Sequence, residues 1–288
     1  MNLGVIDIGG TTIKCACWVN HHLIERQKYP TPSKLTGFMK VLKEYITSFK
    51  TIHNLQGVAI SSPGAVNKKT GVIEGASAVP YIHNFKIVPV FEKLFELPVS
   101  IENDANCAAL AELNAGAGKD CKNLVFLVIG TGVGGTIVID RNIYYGSHLY
   151  GGEFGFQLVK NSSTLSQMGS PVNLARRYNE KTGEKMTGKD VFEQALAGNQ
   201  LAKKYVDEMI DWIATAIFNI QHSIDPEKII IGGAISQNKK FILMIKRRLD
   251  EICQEIPIAT LVPNVEACHF TGDANLRGAV VDFEKSKF

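Results

Sequence analysis

Residues 123–140 read NLVFLVIGTGVGGTIVID. Within them Gly130, Gly132 and Gly135 match the G-x-G-x-x-G string of a dinucleotide-binding turn. In that turn the glycines open a helix whose N-terminus receives a pyrophosphate. The residues just after the glycines decide the fold. Thr136, Ile137, Val138 and Ile139 are all β-branched, which favours a strand over a helix. The stretch therefore predicts a β-hairpin whose glycines expose consecutive backbone N–H groups, a nest that binds anions without a helix. The alternative is a tight hairpin with no ligand. Four glycines in six residues, flanked by Thr131 and Thr136, exceed what a plain hairpin needs.

A second glycine turn stands near the N-terminus. Asp7, Gly9, Gly10, Thr11 and Thr12 form DIGGTT between two apolar runs, LGVIDIGG and TTIKCACWVN. Gly9 and Gly10 let the backbone approach a phosphate, the threonines add hydroxyl donors, and Asp7 could hold Mg²⁺ through water. Alone, the turn could be an Asp-capped hairpin. Around these two turns the chain repeats one plan. In the first half, SKLTGFMKVLKEYITSFK has helical apolar spacing, with Ser33 as expected N-cap. LQGVAIS is a short buried strand, SPGAVNKKTG is turn-rich, VPVFEKLFEL is a helix and PVSI a strand. ENDANCAALAELNAGAG then enters a helix through polar residues and leaves through glycines. In the second half, strand character continues through TIVIDRNIYYG, and helices are expected near 171–179, 188–197 and 199–222. KIIIGGAIS is a strand with a Gly-Gly end, followed by a helix near 238–252, a strand at VEACHF and a last helix NLRGAVVDFEK. The pattern predicts a duplicated α/β fold with a cleft between its halves.

Composition narrows the class. The 288 residues are 45% hydrophobic and 20% charged, with a net charge of +3 and no run of Lys or Arg. A nucleic-acid partner is not expected. Six scattered cysteines, Cys15, Cys17, Cys107, Cys121, Cys253 and Cys268, read as reduced core residues of a cytoplasmic protein. Cys15 and Cys17 would face one side of a strand, but no cluster completes a metal site. MNLGVIDIGG lacks the form of a signal peptide, and no apolar run reaches membrane-spanning length.

Taken in order, DIGGTTIK, ENDANCAALAE, GTGVGG and GGEFGF resemble the ROK family (repressors, open reading frames and kinases of sugars), and the resemblance runs from DIGGTT to the closing GDANLRGA. It implies a duplicated actin-like ATPase (ribonuclease H-like) fold. The smaller domain would comprise 1–113 plus 275–288, and the larger 114–274. It further implies an ATP-dependent kinase that phosphorylates a hexose or hexose derivative, with Mg²⁺ and as a homodimer. By residue, Asp104 resembles the catalytic base. Asn103, Glu153 and Gly64 fall among the sugar-binding positions. Gly9, Gly10, Thr11 and Thr12 resemble the first phosphate loop, with Asp7 beside it. Gly130, Thr131, Gly132, Gly134 and Gly135 resemble the second, and Gly232 and Gly233 the wall near the adenosine. The residues permit this independently. Glu102, Asn103 and Asp104 follow a strand and precede a helix, where ligand sites of α/β folds gather. A carboxylate there can take the attacking hydroxyl's proton. Asp104 could instead cap the helix, and Glu153 could be an ordinary turn carboxylate.

Two departures from the family pattern matter. Phe156 stands where many members have a zinc-binding His, and the following QLVKNSSTLSQMGSPVNLARRY has no cysteine, so no structural zinc is expected. Phe156 also removes a polar sugar contact. It could stack on a sugar face or aglycone, which points to a β-glucoside, disaccharide or modified hexose as acceptor. Thr136 replaces a further glycine of the second loop. The competing reading is a non-catalytic sugar- or nucleotide-binding protein or sugar-responsive regulator. Repressors of the family carry a DNA-binding domain ahead of DIGGTT, and here six residues precede Asp7.

Overall fold

The computed structural model describes residues 1–160, 162–256 and 258–287. Asn161 and Pro257, in the larger predicted domain, and Phe288, at the end of the smaller, lie outside the described residues. The chain divides into two compact units: Met1–Ala115, Ser147–Tyr150 and Gly272–Phe288 form the first, and Gly116–Gly146 with Gly151–Thr271 the second.

The first unit opens with β1 (Leu3–Ile8), β2 (Thr12–Val19) and β3 (His22–Pro30), then α1 (Leu35–Lys50) and β4 (Gly57–Ser62). A small ribbon of β5 (Ala65–Asn67) and β6 (Val72–Glu74) precedes α2 (Ile87–Phe95), β7 (Val99–Asn103) and α3 (Asp104–Ala115). Its main sheet has the order β3-β2-β1-β4-β7. The second unit starts with β8 (Leu124–Ile129), β9 (Val133–Ile139) and β10 (Asn142–Ile143), then the ribbon β11 (Leu158–Lys160) and β12 (Ser163–Thr164). Helices α4 (Leu165–Gly169), α5 (Pro171–Thr182), α6 (Gly188–Leu196) and α7 (Gln200–Ile224) lead to β13 (Lys228–Gly232), α8 (Lys239–Glu255) and β14 (Val265–Ala267). Its sheet has the order β10-β9-β8-β13-β14. The last helix, α9 (Ala274–Lys287), belongs to the first unit.

Both sheets are thus built alike. An antiparallel hairpin (β1–β2, β8–β9) leads, and two parallel strands lie on its inner side. The turn after Ile129 opens a strand, β9, as its β-branched residues require. Parallel strands are covered on both faces and so read as unbroken apolar runs. β1 (LGVIDI) and β4 (GVAISS) are buried at every position. On one face of the first sheet, Phe38, Leu42 and Ile46 of α1 and Phe91 of α2 pack against Ile6, Ile8, Ile13 and Ile60. On the other, Leu276, Ala279, Val280 and Phe283 of α9 pack with Cys107 of α3 against Leu3, Val5 and Ala59. Cys15 and Cys17 share the first face while Ala16 lies on the second, as strand alternation demands. The second unit's core gathers Val125, Leu127 and Ile129 of β8 with the apolar stripe of α7, including Met209, Ile213 and Ile217.

Two local expectations need correction. Ser33 does not cap α1. The N-cap is Lys34, without a side-chain bond. The strand expected through TIVIDRNIYYG breaks at Asp140–Arg141, where φ is +49° and +62° and the chain reverses into β10. Two consecutive left-handed residues make a tight hairpin, and Asp tolerates that conformation.

Candidate active site

In the first unit, Asp7 lies near the end of β1 with its side chain nearly buried. Its Oδ1 accepts hydrogen bonds from Ser61 Oγ and Asn275 Nδ2, each at 3.0 Å, and Lys14 Nζ reaches Oδ2 at 3.2 Å. The hairpin register sets Lys14 opposite Asp7. Three donors leave one of the carboxylate's four lone-pair positions, on Oδ2, where a cation would compete with the Lys14 ammonium for the charge. The adjoining turn is tied at its base. Gly9 N–H donates to Thr12 O at 3.1 Å, and Thr31 Oγ1 donates to Gly9 O at 2.6 Å. Gly10 and Thr11 stand exposed at the tip, and among the described residues their N–H groups find no partner. Adjacent unpaired N–H groups on a fixed turn are what an anion nest requires.

Asp104 begins α3 directly after β7, at the carboxyl end of a parallel strand, and is half-buried. The cap of this helix is Asn103. Its Oδ1 accepts from the N–H groups of Ala105 (2.9 Å) and Asn106 (3.1 Å). Its amide nitrogen donates to Gly64 O at 3.0 Å and to Asp104 Oδ1 at 3.1 Å. Asn103 therefore aims the neighbouring carboxylate. Behind it Glu102 is fully buried. Glu102 Oε1 accepts from the Asn103 backbone N–H (2.7 Å) and Asn106 Nδ2 (3.0 Å), while Oε2 lies 3.6 Å from Lys68 Nζ. Lys68 in turn grips Asp282 of α9, at 2.6 Å to each carboxylate oxygen, and donates to Ile101 O.

In the second unit the glycines of the 130–135 turn divide by role. Gly130 N–H donates to Gly132 O across a three-residue turn, and the N–H groups of Thr131 and Gly132 have no partner among the described residues. Gly130 and Gly134 face open space, where a ligand can come close. Gly135 is a packing glycine, since a Cβ there would lie 2.6 Å from Phe154 Cδ2. Thr136, which replaces a further glycine of the loop, is fully buried inside β9. The GGEFGF turn rests on this hairpin: a Cβ on Gly155 would strike Val133 O. Glu153 just precedes a one-turn 3-10 helix, Phe154–Phe156. Its residue surface is exposed, yet partial desolvation of the carboxyl raises its pKa above the ordinary carboxylate value. Phe156 is 67% exposed, uncommon for a Phe and suited to a flat apolar partner.

Gly232 and Gly233 close β13 and its exit. Gly232 packs on Phe126, and Gly233 has φ of +89°. The next residues, Ala234 and Ile235, open onto a cavity of about 580 Å³, also lined by Pro171, Leu174, Gly188 and Phe192. That volume lies within the range of small-molecule and cofactor pockets. Among the described residues no group of three or more His, Cys, Asp or Glu is placed to hold a metal ion. No described helix is long and apolar enough to cross a membrane.

Sequence reasoning passed over Lys14, Ser61, Lys68, Asn275 and Asp282. Only Lys14 left a readable trace, because a two-stranded hairpin at DIGGTTIK pairs it with Asp7. The rest converge from positions up to 268 residues apart.

Comparison with known proteins identifies the family and the fold. The ROK family model matches residues 3–285. A β-glucoside kinase of Listeria monocytogenes is 32% identical, with 98% of this chain and 97% of the relative covered. A ROK family protein from Streptococcus pneumoniae TIGR4, solved in complex with sucrose, is 37% identical with a TM-score of 0.92 over the whole of both chains. A ROK family glucokinase from Streptomyces griseus, in complex with glucose and AMPPNP, shares the fold at 23% identity and a TM-score of 0.77, with 97% of this chain and 98% of that one covered. Two sheets of one order, glycine turns after the first strand of each, and a match over nearly every residue give one conclusion: the chain belongs to the ROK family and has its actin-like ATPase fold.

Proposed function

We propose that the protein is an ATP-dependent sugar kinase that transfers the γ-phosphoryl group to a hydroxyl of a hexose or hexose derivative. One observation carries the reading. Asp104 is held half-buried at the end of a parallel strand, its Oδ1 oriented by Asn103, in a unit that also presents the unpaired N–H groups of Gly10 and Thr11. Asp104 accepts the acceptor hydroxyl's proton as the bond to phosphorus forms. In each unit the unpaired backbone N–H groups of its own glycine turn offer phosphate oxygens donors that need not reorganise. The adenosine occupies the cavity beside Ala234 and Ile235. Mg²⁺ arrives with ATP and supplies further charge neutralisation. A homodimeric, cytoplasmic enzyme is the state that the family resemblance implies.

For the acceptor we favour a β-glucoside or another hexose derivative over free glucose. The Listeria relative is a β-glucoside kinase and the Streptococcus neighbour holds a disaccharide. The exposed Phe156 near Glu153 gives an aglycone or second ring an aromatic face. Glu153, Asn103 and Gly64 serve as sugar contacts. The test is sugar-dependent ADP release across glucose, N-acetylhexosamines and β-glucosides, with Asp104→Ala in parallel. Asp104→Ala should lower kcat by roughly 10²–10⁴-fold, the usual worth of a general base, while nucleotide binding persists. An unchanged rate removes Asp104 from its role. Equal or better turnover of glucose removes the preference for a derivative.

A further inference from the structure

We propose that a cavity beside β7, at the edge of the first unit's sheet, is a binding site for a small organic oxyanion, a phosphate monoester or a carboxylate. The site lies outside the kinase reading and does not depend on it.

The cavity measures about 300 Å³, at the lower end of the range for small-molecule sites. It lies wholly in the first unit and shares no residue with the first glycine turn or with Asn103 and Asp104. The turn between β5 and β6 forms one wall, with Lys69 and Thr70, and Val99, Ser100 and Ile101 of β7 form another.

β7 ends its sheet and pairs only with β4. Val58 N–H donates to Pro98 O at 2.9 Å. Strand alternation then turns the N–H and C=O of Ser100 toward β4, and those of Val99 and Ile101 toward the open edge. Ile101 O is taken by Lys68 Nζ at 3.0 Å. The N–H groups of Val99 and Ile101 have no partner among the described residues.

Ser100 is 5% exposed, and its Oγ has no hydrogen-bond partner among the described residues. Its main chain is taken up by β4, so the polar atom it brings to the cavity wall is Oγ. Val99 and Ile101 face the apolar core shared with α1 and α2. Ser100 therefore faces the side of α9, whose Ser286 lines the same cavity. A buried hydroxyl without a partner is destabilising, and an alanine would avoid that penalty. A ligand oxygen in the cavity would supply the missing acceptor.

The turn opposite is already in place. Asn67 Oδ1 accepts from the N–H groups of Lys69 (3.1 Å) and Thr70 (3.2 Å). Lys68 Nζ is committed to Asp282 and Glu102. Lys69 is exposed and forms no ion pair among the described residues, so it is the cation left for a ligand. The Thr70 hydroxyl is likewise without a partner among the described residues. One ammonium, two hydroxyls and two edge N–H groups make a wall rich in donors, which selects an anion. Val88 and Pro89 of α2 give a carbon portion an apolar surface.

The experiment is calorimetric titration of the full chain with glycerol 3-phosphate, butyrate and inorganic phosphate. Wild type, Ser100→Ala and Lys69→Ala are compared, with thermal melts of each. The ester or the carboxylate should bind wild type, and the tighter of the two names the source of the oxyanion. Ser100→Ala should weaken that binding by about 10-fold, the order set by one hydrogen bond to a charged group, while its ligand-free melting temperature stays level or rises. Lys69→Ala should weaken binding and flatten its dependence on salt. Inorganic phosphate bound as tightly as the ester overturns the assignment to an organic ligand. No binding of either organic probe at millimolar concentration overturns the site. So does wild-type affinity in both variants, which would place the anion elsewhere, at a glycine turn for example. A ligand-free Ser100→Ala that melts lower would show that the hydroxyl serves the fold, and overturns the site as well. Sugar-dependent ADP release, followed in parallel, tests the kinase reading separately.

Discussion

At Glu153 a single carboxyl links local solvation to pH. Partial desolvation raises its folded-state pKa, so the protonated form is favoured on folding. Stability from this source is fully present below the unfolded carboxylate pKa and is lost as pH rises through the folded one. Glu153→Gln removes the dependence. Thermal melts should show wild type and variant diverging as pH rises from about 4 to about 8, with the variant gaining, while its sugar KM increases. A variant that loses ground as pH rises would show that the carboxylate is stabilised in the fold. The same physics quiets the thiols: burial pushes the Cys15 pKa up to about 12 and that of Cys107 well above its ordinary value. Neither offers the thiolate that reactivity needs.

Among the elements, the end of β7 is held from behind. Lys68 lies between Glu102, fully buried on β7, and Asp282 on α9. Asn275, also on α9, reaches Asp7 at the other strand end. One helix thereby ties together the two strand ends that carry Asp7 and Asp104. Lys68→Met would leave two carboxylates facing each other without a counter-charge. The two carboxylates are buried but Lys68 is partly open to solvent, so the loss should be about 1–3 kcal/mol, read by urea unfolding. Adding Glu102→Gln and Asp282→Asn should restore much of it. If Lys68→Met is neutral, the network adds nothing to stability. This arrangement could not be read from LQGVAIS or PVSI as strings. Their apolar runs specify strands, whereas the charge partners arrive from 34 and 214 positions away from Lys68.

For the molecule as a whole, each unit has its own sheet and core, so stability is shared between two packed bodies. A ligand that binds only the folded chain adds stability by mass action. A non-hydrolysable ATP analogue at about 100 times its Kd should add about 2.7 kcal/mol to unfolding, as measured by urea melts. No shift at saturating analogue would remove nucleotide from the functional reading.

The two glycine turns show where sequence suffices. Local sterics determine what GTGVGG and DIGGTT are: β-branched residues after glycine demand a strand, and a strand demands a hairpin. Repetition of that pattern made the duplicated α/β plan legible, because strand and helix periodicity are short-range. What each glycine is for was not legible. Gly130 faces open space and Gly135 faces Phe154, though the string treats them alike. Nor was the division of labour in ENDAN, where Asn103 Oδ1 takes the N–H groups of Ala105 and Asn106 while Asp104 Oδ1 shares that of Ala105 and also accepts the Asn103 amide. Side-chain chemistry named the candidates. Which carboxylate meets which donor depends on strand register and on a helix from the far end of the chain, and only the tertiary structure decided it.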